Sequence, residues 1–540
     1  MQGTNHRPLT PISFLERSAR VFPGREAVVD HDHRFSYSEF FEQARSLAAG
    51  LQVIGVKPGE RVAFLATNSE PLLAGHFGVP MSGAVLVAMN TRLAKREFLY
   101  ILNHAEASVL VVNPALLPNL SDLRKECPGL QKIITVGTDL LETAADLRYA
   151  DLLACGAGRE LSYDLTDEDA LIALNYTSGT TGYLKGVMYT HRGAHLNALG
   201  NAVEVELTSS TRYLWTLPMF HCNGWCYTWA VTAVAGTHVC MEKPVPAEVF
   251  RLIEAQNITH LCAAPTVLID LAQYAASNHV ALSTPLTIVT GGAAPAPQVI
   301  RNIESIGAKV IHAYGLTETY GPALFCQWQP QWDTLNFGER AALKARQGVA
   351  DLMVEQRVVR ENMSDVEPNA EELGEIVIRG NVLMKGYYRD AAGTEHAFRG
   401  GWFHTGDLAV VHPDGYVEVK DRSKDIIISG GENVSTLEVE RVIYTHPAVL
   451  EVAVVSSPHD RFGEVPVALV ILKPKATLNT DSLYDYCREH LAGFKCPHRI
   501  EFVDELPKTS TGKIQKYLLR EQEWKTRQGT DHGAANGRRI

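Results

Sequence analysis

Residues 176–186 read Tyr-Thr-Ser-Gly-Thr-Thr-Gly-Tyr-Leu-Lys-Gly and follow an apolar run, residues 170–175, that is typical of a buried strand. Glycines let backbone N–H groups approach a ligand closely, and successive N–H groups with hydroxyls and a lysine form a cradle for phosphate oxygens. A Walker-type phosphate loop does not fit, because Lys185 is neither preceded by Gly nor followed by Ser or Thr. The stretch predicts a phosphate site of another kind, with a flexible surface loop as the alternative interpretation.

Length and composition bound the possible classes of protein. The chain has 540 residues, which predicts two or more domains, and a net charge of −11 without a basic cluster, which argues against nucleic acid as a partner. The N-terminus has no apolar core of signal-peptide type, and no run approaches the roughly 20 apolar residues that span a bilayer. We therefore expect a cytoplasmic protein without a membrane span.

The cysteines do not form a recognisable framework. Nine of them are scattered without regular spacing, which does not indicate a set of disulfides. His221, Cys222 and Cys226 are close in sequence, but no second Cys/His pair follows at zinc-finger spacing. We interpret these cysteines as buried thiols that line a pocket.

The pattern of apolar runs predicts the division of the chain. Short apolar strands alternate with helical patterns over residues 12–150 and 197–312, which indicates parallel α/β layers. A helix is expected over 37–54, and short strands are expected over residues 61–66, 85–88, 108–112, 213–217, 237–241, 260–263, 286–290, 374–379, 408–411, 416–420, 451–455 and 465–472.

The later part of the chain has a different composition. Short strands and turns beyond about residue 370 predict a small β-rich unit, and residues 425–525 predict a compact α/β unit. The charged run 420–425 between them suits a solvated linker or a turn that moves. The tail, residues 528–540, is rich in Gly, Arg and Asn and is predicted to be disordered.

A second polar stretch, residues 314–319, directly follows the apolar run 309–313. Polar and aromatic residues at the carboxyl end of a strand suit a nucleotide site of an open α/β sheet. Tyr314 can stack on a purine and Glu318 can hold Mg²⁺; a surface turn with a core tyrosine is the alternative. Residues 291–295, Gly-Gly-Ala-Ala-Pro, end another strand and would let a flat ring approach the backbone, or form a simple turn.

Three further stretches carry weaker signals. Asp407, which we place after a tight turn at Thr405-Gly406, can accept both hydroxyls of a ribose, although Asp after Gly is usually only a turn. Residues 507–516 are rich in Lys and Thr and also suit a basic turn before a solvated helix. His221 stands among apolar and aromatic residues, where a histidine is usually a packed core residue.

Together and in this order, these stretches resemble the motifs of the adenylate-forming superfamily, which includes acyl- and aryl-CoA synthetases, non-ribosomal adenylation domains and firefly luciferase. The resemblance extends from about residue 12 to 525. Two positions depart from it: Leu184 stands where most members carry Pro, and Asp421 stands where the family often has Gly.

The resemblance implies a fold and its domains. An N-terminal domain, residues 1–423, would contain two layered α/β subdomains and a small β-barrel over about 340–423. A smaller, mobile α+β domain, residues 424–527, would follow the hinge residue Lys424, and residues 528–540 would be a tail.

The resemblance also implies a reaction and its residues. A carboxylic acid and ATP–Mg²⁺ would give an acyl-adenylate and pyrophosphate, and CoA would then take the acyl group and release AMP. Lys513, Glu318 and Thr177 would be catalytic, with Glu318 and Thr177 as the metal ligands. The implied ATP and AMP contacts are Thr177, Ser178, Gly179, Thr180, Thr181, Gly182, Lys185, Ala293, Ala294, Pro295, Ala313, Tyr314, Gly315, Thr317, Asp407, Arg422 and Lys513.

The remaining implied sites concern the acid and CoA. The acyl pocket would be lined by His221, Cys222, Asn223, Trp225 and Gly315, and CoA would pass Gly430, Gly431, Glu432 and Lys495. The stretch around His221 is most similar to medium-chain fatty-acyl and methylmercaptopropionyl-CoA ligases, which implies a small to medium apolar acid; a bulkier natural-product acid stays open.

Other functions and partners also stay open. A carrier protein could replace CoA as acyl acceptor, the chain could be a non-enzymatic sensor of nucleotide or acid, and a luciferase-like oxidation is compatible with the motifs. Lys185, Glu318, Asp407, Arg422 and Lys513 are all present, which argues against the sensor. A homodimer is the remaining open partner.

Overall fold

A computed structural model describes residues 5–116, 123–137, 145–178, 184–422, 424–430, 432–459, 461–509 and 514–531, with all their side chains except those of Ser178 and residues 526–531. Six residues of the predicted site lie outside these ranges: Gly179, Thr180, Thr181, Gly182, Gly431 and Lys513.

Strands and helices alternate along the first third of the chain. In order they are α1 (Ile12–Val21), β1 (Glu26–Asp30), β2 (His33–Ser36), α2 (Tyr37–Val53), β3 (Arg61–Leu65), α3 (Glu70–Met81), β4 (Val85–Ala88), α4 (Lys95–His104), β5 (Ala107–Val112), α5 (Leu123–Glu126), β6 (Lys132–Thr135), β7 (Leu147–Arg148), α6 (Tyr149–Gly156), β8 (Leu171–Ser178) and β9 (Leu184–Thr190). Seven strands form a sheet in the order β7-β6-β5-β3-β4-β8-β9. Its neighbouring strands are parallel except for the antiparallel pair β8 and β9.

The next segment builds a second sheet. Its elements are α7 (His191–Glu204), β10 (Arg212–Leu214), the short turn α8 (Cys222–Trp225), α9 (Tyr227–Ala233), β11 (Thr237–Val239), α10 (Pro246–Ala255), β12 (His260–Ala263), α11 (Pro265–Asn278), β13 (Leu286–Thr290), α12 (Pro297–Ser305), β14 (Ala308–Leu316), β15 (Gly321–Phe325), α13 (Phe337–Lys344) and β16 (Val349–Ala350). The nine strands run in the order β16-β15-β14-β13-β12-β10-β11-β1-β2, with a parallel centre and antiparallel edges. The first two strands of the chain thus complete the second sheet.

An antiparallel sheet follows where the sequence predicts the β-rich unit. Its elements are β17 (Val354–Val359), β18 (Gly374–Gly380), α14 (Ala391–Ala397), β19 (Phe403–Val411) and β20 (Val417–Arg422). The strands pair in the linear order β17-β18-β19-β20, so the predicted barrel is here a four-stranded antiparallel sheet.

The last segment forms a smaller sheet with helices. Its elements are β21 (Ile427–Ser429), β22 (Glu432–Val434), α15 (Thr436–Tyr444), β23 (Val449–His459), β24 (Gly463–Leu472), α16 (Thr480–His490), β25 (Arg499–Phe502) and α17 (Lys516–Asp531). The sheet order is β22-β21-β24-β23, and β25 pairs in parallel with β24. A large α/β part followed by a smaller α+β part is the predicted fold class.

Three sequence predictions about local structure are corrected by the fold. Thr405, Gly406 and Asp407 lie inside β19 rather than in a turn, because Gly406 adopts a φ of +73° that bends the strand without ending it. In the charged run 420–425, Asp421 is buried at 2% exposure instead of solvated, because it accepts hydrogen bonds from Thr436. Residues 528–531 of the predicted tail belong to α17, and 532–540 lie outside the described residues.

The core explains why short apolar runs become strands. Parallel strands between helical layers are buried on both faces, and β4 and β5 are buried along their whole length. The largest fully buried side chains include Trp215, Trp229 and Tyr37, each stabilising the fold by about 2–3 kcal/mol. Within the described ranges, no helix is both long and apolar enough to cross a bilayer.

Candidate active site

The end of β8 and the start of β9 place two predicted phosphate contacts side by side. Thr177 on β8 pairs directly with Lys185 on β9, and Ser178 pairs with Leu184. Directly opposite residues of an antiparallel pair project their side chains to the same face of the sheet. The hydroxyl of Thr177 and the amine of Lys185 therefore share a face.

The Lys185 amine has partners from the segment that follows β18. Its Nζ lies 3.4 Å from Oδ2 of Asp390 and 4.4 Å from the centre of the Tyr387 ring. Both charged side chains are about one-third exposed, so the ion pair is weak. A phosphate could take the place of Asp390 at small cost.

Tyr387 links Lys185 to the predicted metal ligand Glu318. Its hydroxyl donates to Oε1 of Glu318 over 2.8 Å. Glu318 lies in a 3-10 turn, Thr317–Thr319, that directly follows β14. Burial raises the pKa of the Glu318 carboxyl, and the hydrogen bond from Tyr387 opposes that rise. A partly buried carboxylate with a raised pKa is a group that a bound cation would stabilise.

Tyr314, Asp407 and Arg422 form a second polar group. The Tyr314 hydroxyl donates to Oδ2 of Asp407 over 2.6 Å, and Nε of Arg422 lies 3.2 Å from Oδ1 of the same carboxylate. The register of β19 and β20 places Asp407 directly opposite Arg422. Asp407 is 4% exposed, so the guanidinium and the phenol provide the pairing that a buried carboxylate requires.

A small cavity is lined in part by residues of the predicted acyl pocket, His221 and Cys222, and by the predicted nucleotide contact Thr317. Its volume is about 30 Å³, and its lining comprises Ala88, Met89, Asn90, Leu93, Ile101, Asn175, Tyr176, Phe220, His221, Cys222 and Thr317. Cys222 Sγ lies 3.6 Å from Oγ1 of Thr317. Burial raises the pKa of the Cys222 thiol to about 12, so this wall is neutral at pH 7.

The turn that carries Cys222 and Asn223 is left-handed. Five consecutive residues, 222–226, have φ between +49° and +63°, and only Gly224 among them is a glycine. A left-handed conformation costs roughly 1–2 kcal/mol for each residue with a Cβ. The turn nonetheless closes hydrogen bonds from Trp225 and Cys226 to the carbonyls of His221 and Cys222. Strain of this kind concentrates at functional sites.

Asn223 turns inward from this strained segment. Its Oδ1 accepts a hydrogen bond of 2.7 Å from Nδ2 of Asn175 on β8. Asn175 Oδ1 and Asn223 Nδ2 are buried and have no further hydrogen-bond partner among the described residues. The pair joins the predicted acyl pocket to the strand that carries Thr177.

Trp225 and Gly315 lie beside the strand ends β13 and β14. A Cβ on Gly291 would lie 3.2 Å from the Trp225 ring and 2.5 Å from the carbonyl oxygen of Ala313. A Cβ on Gly315 would lie 1.8 Å from the carbonyl of Gly321, so only glycine fits there. The predicted residues Ala293, Ala294 and Pro295 follow β13 and precede α12.

The predicted hinge and CoA residues lie beyond β20. Lys424 precedes β21, and Arg520 of α17 donates to its backbone carbonyl. Gly430 has a φ of +61° and donates its N–H to the Phe462 carbonyl. Glu432 begins β22 and is exposed, and the Lys495 amine lies 2.7 Å from Oε1 of Glu438.

The sequence did not predict several residues that complete the site. Tyr387, Asp390 and Tyr189 contact Glu318, Lys185 and the Thr317 carbonyl. The run Gly386-Tyr387-Tyr388-Arg389-Asp390 is a dense polar and aromatic signal outside any motif that we recognised, and it could have pointed to them.

Comparison with known proteins identifies the family. The family model of the AMP-binding enzyme matches residues 15–388, and that of the AMP-binding enzyme C-terminal domain matches 438–513. The chain is 40% identical over 526 residues to 4-hydroxybutyrate–CoA ligase 2 of Metallosphaera sedula, covering 96% of this chain and 95% of that protein. It is 40% identical over 534 residues to the peroxisomal butyrate–CoA ligase AAE11 of Arabidopsis thaliana, covering 96% and 93%.

Similar solved structures agree with this assignment. The anthranilate CoA ligase AuaEII in complex with anthranoyl-AMP superposes with a TM-score of 0.85 at 26% identity, covering 98% of this chain and 100% of that one. With both family models in chain order and relatives at 40% identity over nearly the full length, the chain belongs to the AMP-binding enzyme family and is an acyl-CoA synthetase of the adenylate-forming superfamily.

Proposed function

We propose that this acyl-CoA synthetase activates a small to medium apolar carboxylic acid with ATP and Mg²⁺, and then transfers the acyl group to CoA. The observation that carries the proposal is a pair of polar groups at and just after the end of β14: Glu318 with Tyr387 and Lys185, and Tyr314 with Asp407 and Arg422.

The two groups suit the two ends of a nucleotide. The Asp407 carboxylate can accept both ribose hydroxyls, with Arg422 compensating its charge. Tyr314 donates to Asp407, and its ring would contact the base. Lys185 and the Thr177 hydroxyl share the face on which phosphates would bind. ATP would therefore extend from Asp407 towards β8 and β9.

The residues present fit a magnesium ion. Glu318 and Thr177 offer the oxygen ligands that Mg²⁺ prefers, and a cation would relieve the raised pKa of Glu318. When bound, the ion would neutralise charge on the phosphates. Tyr387 would orient the Glu318 carboxylate through its hydrogen bond.

In the first step, a carboxylate oxygen of the acid attacks the α-phosphorus of ATP, and the bond to the bridging oxygen breaks to release pyrophosphate. Negative charge grows on the in-line oxygens, and positioned cations stabilise it. Lys185 can supply this charge. Lys513 lies outside the described residues and remains the proposed catalytic lysine. In the second step, the CoA sulfur attacks the acyl carbonyl and AMP leaves; Gly430, Gly431, Glu432 and Lys495 remain the proposed path for CoA.

We propose a substrate with a short acyl chain. The lining of the cavity of about 30 Å³ includes His221, Cys222 and Thr317. Trp225 is 5% exposed and fills the space beside Gly291. Since the named relatives act on 4-hydroxybutyrate and butyrate, acids of about four carbons are the first candidates.

Turnover on a panel of acids tests the proposal. We would measure pyrophosphate release with ATP and straight-chain acids from acetate to decanoate, 4-hydroxybutyrate, benzoate and cinnamate, each with and without CoA, and identify products by mass. Acyl-CoA formation that is highest near four carbons would support the proposal. Pyrophosphate exchange without acyl-CoA would assign the acyl group to another acceptor, such as a carrier protein, and no turnover would favour a sensor.

Variants of the two polar groups make the test specific. Asp407→Asn removes the charge that accepts the ribose, and Lys185→Met removes the cation beside the phosphates. Both should raise KM for ATP by about tenfold or more, because a charge-assisted hydrogen bond contributes about 1.5–3 kcal/mol. Trp225→Ala should shift the preferred acid to longer chains. An unchanged chain-length profile would remove Trp225 from the pocket wall.

A further inference from the structure

Two side chains of α4 hold the strands that carry the predicted phosphate contacts. The Tyr100 hydroxyl donates to the backbone carbonyl of Leu184 at the start of β9 over 3.0 Å. Nδ1 of His104 lies 2.8 Å from the hydroxyl of Tyr176 on β8. Residues four apart lie on one face of a helix, so a single rigid element contacts both strands.

The rings around these hydrogen bonds form a packed cluster. Tyr100 and His104 stack with centroids 5.3 Å apart, and His104 meets the rings of Tyr176 and Tyr388 edge-on at 5.7 Å each. Burial and the nearby Arg389 lower the pKa of His104, so its ring is neutral at pH 7 and can accept from a hydroxyl. Leu184 packs against the same hydrophobic cluster as Tyr100 and Tyr176.

The two residues that α4 contacts, Tyr176 and Leu184, are sequence neighbours of the proposed phosphate contacts. Tyr176 immediately precedes Thr177, and Leu184 immediately precedes Lys185. A proline at 184 would fix φ near −65° and stiffen the chain before the lysine, whereas leucine provides no such restraint. A hydrogen bond that fixes the carbonyl of residue 184 restricts the peptide unit that leads to Lys185.

We propose that Tyr100 and His104 are positioning residues that align Lys185 and Thr177 for the phosphates of ATP, and that the Tyr100 hydrogen bond supplies the restraint that leucine at position 184 lacks. The inference rests on the proposed function of Lys185 and Thr177. Neither α4 residue needs to touch ATP. Their effect reaches the nucleotide through the backbone of β9 and the side chain of Tyr176.

Steady-state kinetics of the full chain test the inference. The variants are Tyr100→Phe, which keeps the ring and removes the donor, His104→Leu, its conservative partner His104→Gln, Leu184→Pro, and Tyr100→Phe with Leu184→Pro. Tyr37→Phe is the matched control, because Tyr37 is a buried tyrosine that also donates to a backbone carbonyl, that of Gly236. For each variant we would measure kcat and the KM for ATP, acid and CoA, with circular dichroism to verify folding.

The expected result is selective for ATP. One neutral hydrogen bond corresponds to about a fivefold change, so Tyr100→Phe and His104→Leu should each raise KM for ATP by about fivefold, with KM for acid and CoA little changed. His104→Gln should recover most of the loss, and Tyr100→Phe should have less than about a twofold effect when residue 184 is proline. Tyr37→Phe should lower thermal stability only.

Equal effects on all three substrates, or the same effect of Tyr100→Phe in both backgrounds, would overturn the inference. If Leu184→Pro does not fold, the comparison of His104→Leu with His104→Gln decides, because a purely structural role would not move KM for ATP alone. Failure of the proposed function is distinguishable: there, Lys185→Met itself would leave KM for ATP unchanged.

Discussion

At the scale of single residues, Tyr387 connects Lys185 and Glu318, the two charged groups at the proposed phosphate end of the site. Its ring faces the Lys185 amine and its hydroxyl donates to Glu318. Tyr387→Phe keeps the first contact and removes the second. Because a hydrogen bond to a carboxylate lowers its pKa, the pKa of Glu318 should rise further in the variant. The acidic limb of kcat/KM for ATP against pH should therefore move to higher pH.

A matched hydroxyl elsewhere controls for general effects. Tyr416 donates to the Gln327 carbonyl and not to Glu318, so Tyr416→Phe should leave the acidic limb in place. An unmoved limb in Tyr387→Phe would show that the hydrogen bond does not set the protonation of Glu318.

Glu70 is a buried carboxyl whose ionisation should affect the stability of the fold. It begins α3 at 6% exposure, and burial together with Asp30 raises its pKa to about 8. The folded chain keeps this proton between about pH 4.5 and 8 while the unfolded chain releases it, so stability falls as pH rises through that window. Glu70→Gln removes the ionisation and should be more stable than the parent by about 3 kcal/mol at pH 7, but not at pH 4.

Thermal melts at pH 4, 5, 6 and 7 measure this difference. The parent should lose melting temperature over that range more steeply than Glu70→Gln. The exposed carboxylate Glu355 provides the control, since Glu355→Gln should keep the slope of the parent. Parallel slopes for Glu70→Gln and the parent would contradict a raised pKa at this position.

At the scale of elements, the positions of strands were predicted from the sequence more accurately than the local backbone conformation was. β4, β12 and β13 have the predicted bounds, because each is a short apolar run buried within a sheet and ended by turn residues. The sequence also placed Thr177 and Glu318 next to apolar strands, and the structure has Thr177 near the end of β8 and Glu318 directly after β14. The local backbone around Asp407 was predicted wrongly as a turn, since nothing in a Thr-Gly-Asp triplet distinguishes a bend within a strand from a loop.

No sequence pattern indicated the contacts between segments that are distant along the chain. Tyr387 approaches Glu318 from 69 residues away, and Asn175 pairs with Asn223 from 48 residues away. Such pairs depend on how the sheets pack, which neither periodicity nor spacing records. The left-handed turn 222–226 is similar, because only Asn223 and Gly224 are residue types that favour positive φ, and Cys222, Trp225 and Cys226 carry no such signal.

The left-handed turn allows a test of strain at one position. Asn223 has φ 52° and ψ 44°, and asparagine tolerates this region better than most residues. Asn223→Ala should lose the bond to Asn175 and also incur the left-handed penalty, whereas Asn223→Gly should lose only the bond. We expect the alanine variant to be less stable than the glycine variant by about 1 kcal/mol. Unfolding followed by tryptophan fluorescence measures the pair, and equal stabilities would mean that the turn relaxes.

At the scale of the whole molecule, one buried network joins the β-rich sheet to the smaller sheet. Asp421 at the end of β20 accepts from the backbone N–H and the hydroxyl of Thr436 at the start of α15. Lys516 of α17 donates to the same hydroxyl and lies 2.8 Å from Oε1 of Glu440. Although burial opposes it, Glu440 and Asp421 hold the pKa of Lys516 above its ordinary value, so the amine is charged.

This network crosses the predicted hinge at Lys424, so it should bias how the smaller part sits against the rest. Asp421→Ala removes the acceptor of the Thr436 N–H and one of the two carboxylates that compensate the charge of Lys516. Loss of a partner from a buried charge lowers the free energy of unfolding by about 3 kcal/mol. If the two half-reactions need different placements of residues 424–527, the variant should change adenylate formation and thioester formation by unequal factors, with a ratio shifted by about tenfold or more. Pyrophosphate exchange measures the first rate, and transfer from pre-formed acyl-adenylate to CoA measures the second.

Arg499→Gln, which breaks a pair with Glu523 within the smaller part, should leave the ratio unchanged. A change of both rates by one factor in Asp421→Ala would show that the network stabilises the fold without favouring either placement.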